Sequence, residues 1–390
     1  MAMKEVNVIK NGRVITPFKT VEKGVVIFED EKIVAVGREN EVRTPKSAKI
    51  IDASNRVVAP GFIDIHVHGG KGKDVMDASY EAINELSKFF ATHGTTAFVA
   101  TTISASRSEL LNVARAVRLA MEKGTDGAEV LGIHMEGPYI SPDERGAHAA
   151  DQIRPPSLEE FKEIWEASNH AVRMVTLAPE WTESESFIES LRNLRVVASV
   201  GHSNATYSQV ADAIQHGLKH ATHTFHRMRG FHHRELGVVG AVLAHDEVTA
   251  ELICDNIHVH PTAMKLLIKA KGANKVALIT DAIRAAGMLN GEYKVGKATV
   301  IVKNGISRSE AGELAGSTLT MDRAVENMVK SVGLSLQTAI RMATTNPATT
   351  IGIDKMKGSL KTGKDADIVI IDEEVNVYMT IVKGRVVYAT

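Results

Sequence analysis

From Gly61 onward, apolar strand-like runs alternate with amphipathic helix-like segments, and this alternation limits the possible folds more than any other property of the sequence. Parallel strands need long crossover connections, usually helices, so the alternation predicts a parallel sheet. Eight such units over about 290 residues are typical of a (β/α)8 TIM-like barrel rather than an open sheet. The predicted strands are Phe62–Val67, Thr95–Thr101, Glu129–Met135, Val172–Ala178, Arg195–Gly201, His220–Phe225, Val248–Cys254 and Lys275–Thr280.

Both ends of the chain contain short strand-like runs separated by turn signals. The N-terminal runs are Val6–Ile9, Gly24–Phe28 and Lys32–Val36, with turns predicted at Lys10–Gly12 and Glu29–Glu31. The C-terminal runs are Asp367–Ile371, Val375–Val382 and Arg385–Tyr388. We expect the two ends to pair in one small discontinuous β-sandwich domain, residues 1–60 and 349–390, beside a catalytic barrel of residues 61–348.

Helices are predicted between most of the barrel strands and after the last one. Those between strands include Tyr80–Thr92, Glu109–Lys123, Leu158–Ala167 and Pro261–Lys271. After the eighth strand the sequence predicts a hairpin at Gly291–Gly305 and two helices, Thr320–Val332 and Leu336–Thr344.

Composition excludes several classes of partner. The 390 residues carry a net charge of −1, so neither a nucleic-acid nor an acidic-membrane footprint is present. Cys254 is the sole cysteine, which rules out an internal disulfide framework and fits a reducing compartment. The N-terminus lacks the apolar core of a signal peptide, and no run reaches the roughly 18 apolar residues of a membrane span. We therefore expect a cytoplasmic protein with a small-molecule substrate.

The first strand ends in a histidine pair, His66 and His68. Alternate residues on a strand point to the same face, so the two imidazoles can reach one metal ion. Taken alone, the pair is weak evidence for a metal site, because two polar residues at a strand end are common.

Four more polar residues end predicted strands. Glu136 follows the third strand before a Gly-Pro pair, and Asp281 follows the eighth. Either carboxylate could instead cap a helix. His202 and His223 end the fifth and sixth strands, where each alone could be an ordinary structural histidine. His134, two residues before Glu136, is expected to support the site or pack behind it.

Together, these six strand-end residues favour one shared site, because a barrel gathers the C-terminal ends of its strands in the mouth where active sites lie. Imidazole and carboxylate ligands suit Zn2+, and imidazole also suits Fe, Co and Ni. Such an ion activates water, and Asp281 can take a proton from that water and pass it to a leaving amine. The pattern therefore predicts metal-assisted hydrolysis of an amide or a similar bond.

The sequence resembles the amidohydrolase superfamily over essentially its whole length. Val58–Gly70 is similar to that superfamily's entry into the barrel, and Gly358–Asp367 to its return to the β domain. Five further motifs resemble the branch that deacetylates amino sugar phosphates: His134–Tyr139, Gly146–His148, Gly201–Ala205, His232–Glu235 and Leu314–Ser317. The resemblance implies hydrolysis of N-acetyl-D-glucosamine 6-phosphate to D-glucosamine 6-phosphate and acetate in amino sugar catabolism.

The resemblance also implies roles for individual residues. It makes Asp281 the catalytic acid and base. It implies one or two divalent ions per subunit, Zn2+ first, with Fe2+, Co2+ or Ni2+ as alternatives. The implied ligands are Glu136, His202 and His223 for the principal ion and His66 and His68 for a second. The implied substrate contacts are Ala147, His148, His226, Arg227, Arg234, Asp255, Asn256, Ile257, His258, Leu314, Ala315 and Gly316. A homodimer is implied, with Arg234 near the partner's site.

One segment departs from the family pattern. The family usually has Asn and Ala where this chain has His226 and Arg227, and Pro where it has Leu236. If backbone N–H groups make the sugar-phosphate contacts, phosphate binding survives and Arg227 can add a charge-assisted bond. If the Asn side chain is required for the sugar-phosphate contacts, the substrate preference of this chain differs from that of the family.

Two alternative functions remain open. The chain could be an amidohydrolase acting on another N-acetylated amino sugar or on an N-acyl amino acid. It could also be a non-catalytic assembly protein of the same fold. Such relatives typically lose metal ligands, so a metal assay separates the two classes.

Overall fold

The computed structural model describes residues 5–16 and 19–390. Residues 1–4 and 17–18 of the predicted β domain lie outside the described residues. Eight parallel strands follow one another in sequence order around a barrel, which confirms the predicted (β/α)8 architecture. They are Phe62–Val67, Thr95–Thr102, Glu129–Glu136, Val172–Leu177, Val197–Val200, His220–Ala221, Thr249–Ile253 and Val276–Ile279. Thr95–Thr102 is buried along its whole length, as expected for a parallel strand covered on both faces.

The first and eighth barrel strands meet through contacts around Asp64. The Thr280 hydroxyl donates to Asp64 Oδ2 at 2.5 Å. One residue further on, the Asp281 amide donates to the His66 carbonyl at 2.9 Å. The closure of the ring therefore places Asp281 beside the histidine pair that ends the first strand.

Helices surround the barrel, and several of them begin at a side-chain cap. The Ser106 hydroxyl accepts from the Glu109 amide while the Glu109 carboxylate accepts from the Ser106 amide, a capping box that sets the start of the second helix. Among the described residues, every helix is too short or too polar to span a bilayer. The helices are Tyr80–Thr92, Arg107–Lys123, Leu158–Ala167, Ser184–Asn193, Tyr207–His216, Gly237–Ala244, Pro261–Lys271, Met321–Asn327, Leu336–Met342 and Thr345–Thr350.

Both ends of the chain share one sheet. Its strands, in spatial order, are Arg385–Ala389, Val377–Val382, Ile368–Ile371, Val57–Pro60, Val6–Ile15, Thr20–Glu29 and Lys32–Arg38, with Lys49–Asp52 also paired to Val6–Ile15. The two ends meet where Val369 lies opposite Ala59 in an antiparallel ladder. The predicted joining of the ends is confirmed, while the boundaries 1–60, 61–348 and 349–390 stay a prediction.

The turn predicted at Lys10–Gly12 is wrong. The strand continues from Val6 to Ile15 and shifts its register between Ile9 and Gly12, as a β-bulge does. A Cβ at Gly12 would lie 2.9 Å from Ala53 Cβ, so the close approach of the neighbouring chain explains the glycine.

The hairpin predicted after the eighth barrel strand gains a third strand. The three strands are Gly291–Val295, Ala298–Lys303 and Ile306–Ser309. The chain then returns to the barrel mouth, where the Ser317 amide donates to the Asp281 carbonyl at 2.8 Å. This return places residues 314–316 over the mouth.

A buried lysine joins the barrel to the terminal sheet. Lys357 Nζ, on a side chain only 3% exposed, lies 2.5 Å from Glu129, 2.9 Å from Asp365 and 2.6 Å from Asp367. Burial disfavours the charged lysine, but Asp367 and Glu129 outweigh burial and raise its pKa. The cluster therefore links a barrel strand to the segment that leads back into the sheet.

Candidate active site and metal centre

The two histidines of the first strand lie buried at the mouth of the barrel. His66 is 0% exposed and His68 is 6% exposed. Their Nε2 atoms are 3.3 Å apart, so the alternation of the strand brings both rings to one point, as predicted.

Glu136 is the centre of the histidine cluster. Its Oε1 lies 3.0 Å from His223 Nε2, 3.3 Å from His202 Nε2 and 3.4 Å from His66 Nε2. Its other oxygen, Oε2, lies 3.2 Å from His68 Nε2. The structure therefore brings together all five residues that the sequence predicted as ligands.

The spacing of these atoms fits a divalent ion. Bonds of about 2.0–2.1 Å to tetrahedral Zn2+ place neighbouring ligand atoms roughly 3.3 Å apart. His202 Nε2 and His223 Nε2 are 3.1 Å apart, within the same range. In addition, His202 Nδ1 lies 2.7 Å from the Glu144 carbonyl and His223 Nδ1 lies 3.2 Å from the His226 carbonyl. A carbonyl only accepts, so each Nδ1 donates, and this tautomer leaves the Nε2 of each ring to face the cluster as a ligand atom.

Asp281 lies against the histidine pair. Its Oδ1 is 3.2 Å from His68 Nε2 and 3.5 Å from His66 Nε2. Burial opposes ionisation, but the hydrogen bond from His68 and the nearby imidazole charges hold the pKa of Asp281 at about 2. Because the next described helix starts only at Met321, the alternative reading of Asp281 as a helix cap finds no support.

Three residues that end barrel strands in the polar cluster adopt the left-handed backbone region. The φ angles are +48° at His202, +28° at His223 and +49° at Asp281. Positive φ is uncommon outside glycine, and such outliers concentrate at functional sites that the surrounding structure holds in place. Here they mark the points where the fifth, sixth and eighth strands turn their last side chains into the mouth.

A small cavity opens beside the cluster. Most of the predicted site residues line it, together with the apolar side chains of Ile103, Ile283 and Val295. The predicted residues in the lining are His68, Glu136, Ala147, His148, His202, His223, His226, Asp281, Leu314, Ala315 and Gly316. The remaining predicted residues lie outside the lining: His66, Arg227, Arg234, Asp255, Asn256, Ile257 and His258.

His148 is held as a hydrogen-bond donor. The Ser104 amide donates to His148 Nδ1 at 3.0 Å, so that nitrogen accepts and the ring proton is on Nε2. His148 Nε2 lies 3.4 Å from Glu136 Oε2, at the edge of the cavity. The side chain can therefore donate to an oxygen placed beside the cluster.

His226 and His258 extend the site away from the carboxylates. Their ring centroids are 5.1 Å apart. Burial, with the neighbouring His223 and His258, lowers the pKa of His226 to about 2, so this ring is neutral. His258 Nδ1 lies 2.7 Å from Asp255 Oδ2. Its buried Nε2 finds no hydrogen-bond partner among the described residues. Asp255 thus fixes the orientation of the His258 ring.

The two predicted arginines occupy different positions. Arg227 Nη2 donates to Glu313 Oε2 at 2.6 Å, which joins the turn after the sixth strand to the loop at residues 312–316. Arg234 is exposed and contacts His233 Nε2 at 2.9 Å. The structure therefore places Arg227 at the rim of the mouth and Arg234 outside the cavity of its own chain.

Two supporting residues complete the cluster. His134 packs edge-on against His66 at 4.6 Å between ring centroids, and its Nε2 is 2.7 Å from Thr176 Oγ1, in the supporting position predicted. Glu251 was missed by sequence reasoning. It is 0% exposed, its Oε2 lies 2.9 Å from His66 Nδ1, and although burial opposes ionisation, His66 and His220 hold its pKa well below the usual range. The available signal was one acidic residue in an otherwise apolar strand.

The family follows from a match over most of the chain. The model of the Amidohydrolase family matches residues 57–387, which include the barrel and the strands that follow it. The chain belongs to the amidohydrolase family. The resemblance that the strand-end motifs suggested is therefore confirmed.

Three relatives show how fully this amidohydrolase matches named proteins. It is 39% identical to the N-acetylglucosamine-6-phosphate deacetylase of Bacillus subtilis (strain 168), over 99% of this chain and 98% of that protein. It is 37% identical to the N-acetylgalactosamine-6-phosphate deacetylase of Escherichia coli O157:H7, over 87% of this chain and 90% of that protein. A mutant N-acetyl-D-glucosamine-6-phosphate deacetylase from Mycobacterium smegmatis, solved in complex with N-acetyl-D-glucosamine-6-phosphate, superposes with a TM-score of 0.93, 32% identity and coverage of 99% of this chain and 100% of that chain.

Proposed function

We propose that this chain is a metal-dependent deacetylase that hydrolyses N-acetyl-D-glucosamine 6-phosphate to D-glucosamine 6-phosphate and acetate. The observation that supports this most is the convergence of Glu136, His202 and His223 with Asp281 beside one cavity. Nearly full-length similarity to relatives of that name supports the substrate. The alternative of a non-catalytic protein is disfavoured, because the polar cluster is complete.

In the proposed reaction, Glu136, His202 and His223 hold the principal ion, and His66 and His68 hold a second where one binds. A divalent ion bound there supplies Lewis-acid polarisation of the acyl carbonyl and activates water at neutral pH. Zn2+ suits this ligand set, and Fe2+, Co2+ and Ni2+ are the alternatives.

Asp281 is the proposed acid and base. Its low pKa keeps the carboxylate ionised at neutral pH, as a base requires. It takes a proton from the attacking water and then delivers a proton to the nitrogen of the departing sugar, which is a poor leaving group without one. His148 donates from Nε2 to the acyl oxygen as negative charge develops there.

The proposed phosphate contacts lie outside the cavity lining, next to His226, which does line the cavity. His258 offers a buried Nε2 without a hydrogen-bond partner among the described residues, and its ring packs against His226, the residue before Arg227. The exposed Arg234 does not reach the cavity of its own chain, so we propose that it serves the partner's site in a homodimer. Ala147, Leu314, Ala315 and Gly316 are the proposed contacts to the sugar.

The second candidate substrate is N-acetyl-D-galactosamine 6-phosphate. The similarity to the Escherichia coli O157:H7 relative supports this candidate, and His226 and Arg227 replace the usual Asn and Ala where sugar-phosphate contacts are expected.

Acetate release distinguishes these substrates. The protein, loaded with Zn2+ or Fe2+, is assayed with N-acetylglucosamine and N-acetylgalactosamine, each with and without the 6-phosphate, and with an N-acetyl amino acid. We expect the highest kcat/KM for N-acetylglucosamine 6-phosphate. A higher value for an unphosphorylated sugar or for an N-acyl amino acid would contradict the proposed substrate.

A further inference from the structure

Glu251 is a fully buried carboxylate inside the barrel that none of the proposed catalytic steps uses. It lies in the seventh barrel strand, Thr249–Ile253, and is 0% exposed. Three groups face its two oxygens. Oε2 is 2.9 Å from His66 Nδ1 and 3.0 Å from the His223 amide, while Oε1 is 3.1 Å from His220 Nε2. A buried carboxylate is costly unless it is paired and hydrogen-bonded, so this arrangement needs a reason.

The contacts of Glu251 connect two parts of the cluster that are far apart in sequence. His66 ends the first strand, and the His223 amide belongs to the turn after the sixth strand, where φ is +28°. Because a backbone amide can only donate, Oε2 accepts from His223. The same oxygen accepts from His66 Nδ1, which directs the lone pair of His66 Nε2 toward Glu136, 3.4 Å away.

The ring of His66 is held differently from those of His202 and His223. The Nδ1 atoms of those two rings face neutral carbonyls. His66 Nδ1 faces a carboxylate, which makes the ring a more basic ligand and fixes its orientation more firmly. His220, the third neighbour, is itself fixed by Thr249 Oγ1 at 2.6 Å from its Nδ1. Thr249 therefore holds His220, His220 holds Glu251, and Glu251 in turn holds the ring of His66.

We propose that Glu251 is a positioning residue that strengthens divalent-cation binding by His66 and, through the His223 amide, holds the two ligand positions in register. The proposal rests on the proposed metal centre. Glu251 touches neither the cavity nor the proposed substrate contacts, so its effect is expected on cation affinity before any effect on catalysis.

The test is a Zn2+ titration of the full chain, stripped of metal and competed with a chelating dye. In Glu251→Gln, the volume and one acceptor oxygen remain while the charge is lost. We expect the Zn2+ affinity of the position that His66 ligates to fall about 10- to 100-fold. The visible spectrum of the Co2+-loaded protein should change as well, since one ligand has altered basicity.

Asp322→Asn is the matched control. Asp322 is a buried carboxylate paired with a histidine, His93 Nδ1, at 3.1 Å, but it lies outside the cluster. The Asp322→Asn variant should leave the Zn2+ affinity and the Co2+ spectrum unchanged. If Glu251→Gln does not fold, Glu251→Asp provides a second variant, because it draws the carboxylate back by about one carbon–carbon bond and out of reach of His66.

A double-mutant cycle with His66→Ala separates the outcomes. If Glu251 acts mainly through His66, Glu251→Gln weakens Zn2+ binding less in the His66→Ala background than in the wild-type chain, and only the part that acts through the His223 amide remains. Wild-type affinity in Glu251→Gln, or a fully additive loss in the double variant, would overturn the role of Glu251. Unchanged Zn2+ binding in His66→Ala would instead overturn the ligand role of His66, and with it the basis of the proposal.

Discussion

Replacing Asp281 by Asn tests the proposed acid and base with little disturbance of the fold. The φ angle of +49° at this position is one that Asn adopts more readily than most residues. The backbone bonds to His66 and Ser317 do not involve the side chain. Asn keeps an oxygen that can accept from His68 Nε2, which is now 3.2 Å from Asp281 Oδ1. We therefore expect a stability change below about 1 kcal/mol.

The expected loss of rate is large, because Asn cannot transfer protons. General acid–base catalysis contributes about 10² to 10⁴ in rate, which corresponds to about 2.7 to 5.4 kcal/mol in the activation barrier. Glu136, His202 and His223 remain, so the principal ion should stay bound. KM should change little, because the proposed phosphate contacts, Arg227 and His258, do not involve the Asp281 side chain.

The assay measures kcat, metal content and melting temperature on the same preparation. Retained metal and stability with a kcat at least 100-fold lower would support the role of Asp281. Near-wild-type kcat would refute it. Loss of metal together with kcat would instead assign Asp281 a ligand role.

Three further predictions concern metal binding, substrate and stability. His202→Ala should lose metal and activity together in elemental analysis and kinetics, and full metal content would contradict its ligand role. Arg227→Ala should lower kcat/KM about 10- to 100-fold for the phosphorylated sugar, the value of a charge-assisted hydrogen bond, and spare the unphosphorylated one; equal losses would refute the contact. Lys357→Met should destabilise the fold by about 3–5 kcal/mol in denaturant titrations, because buried carboxylates lose their cation. Lys383, whose side chain is 37% exposed, is paired to the same glutamate; Lys383→Met should cost less than about 1 kcal/mol, and equal costs would contradict this account.

Much of the barrel could be predicted because its signals are local. Tyr80–Thr92, Leu158–Ala167 and Pro261–Lys271 have the predicted bounds, since each combines an apolar face with a capping residue at its start. The sixth strand was predicted too long. It ends at Ala221, and the chain then turns, with positive φ at His223 and Phe225. The β-branched and aromatic residues in this segment favour a strand, so the sequence does not indicate the turn.

The convergence of the predicted ligands could be predicted because they end the first, third, fifth and sixth barrel strands, and the barrel determines where those ends meet. Contacts between elements could not be predicted in this way. Glu251 lies within a strand rather than at its end, and its partner His66 is 185 residues away. The ion pair of Arg227 with Glu313 likewise joins two loops whose approach depends on the third strand of the hairpin region.

Parallel measurement of acetate and free amine from N-acetylglucosamine 6-phosphate tests the central claim most directly. The full chain is stripped of metal, divided, and reloaded with Zn2+ in one portion only. We expect equal amounts of acetate and D-glucosamine 6-phosphate from the loaded protein, with kcat at least 100-fold lower in the stripped portion. Absence of both products after loading with Zn2+, Fe2+, Co2+ or Ni2+, or equal rates in the two portions, would contradict a metal-dependent deacetylase.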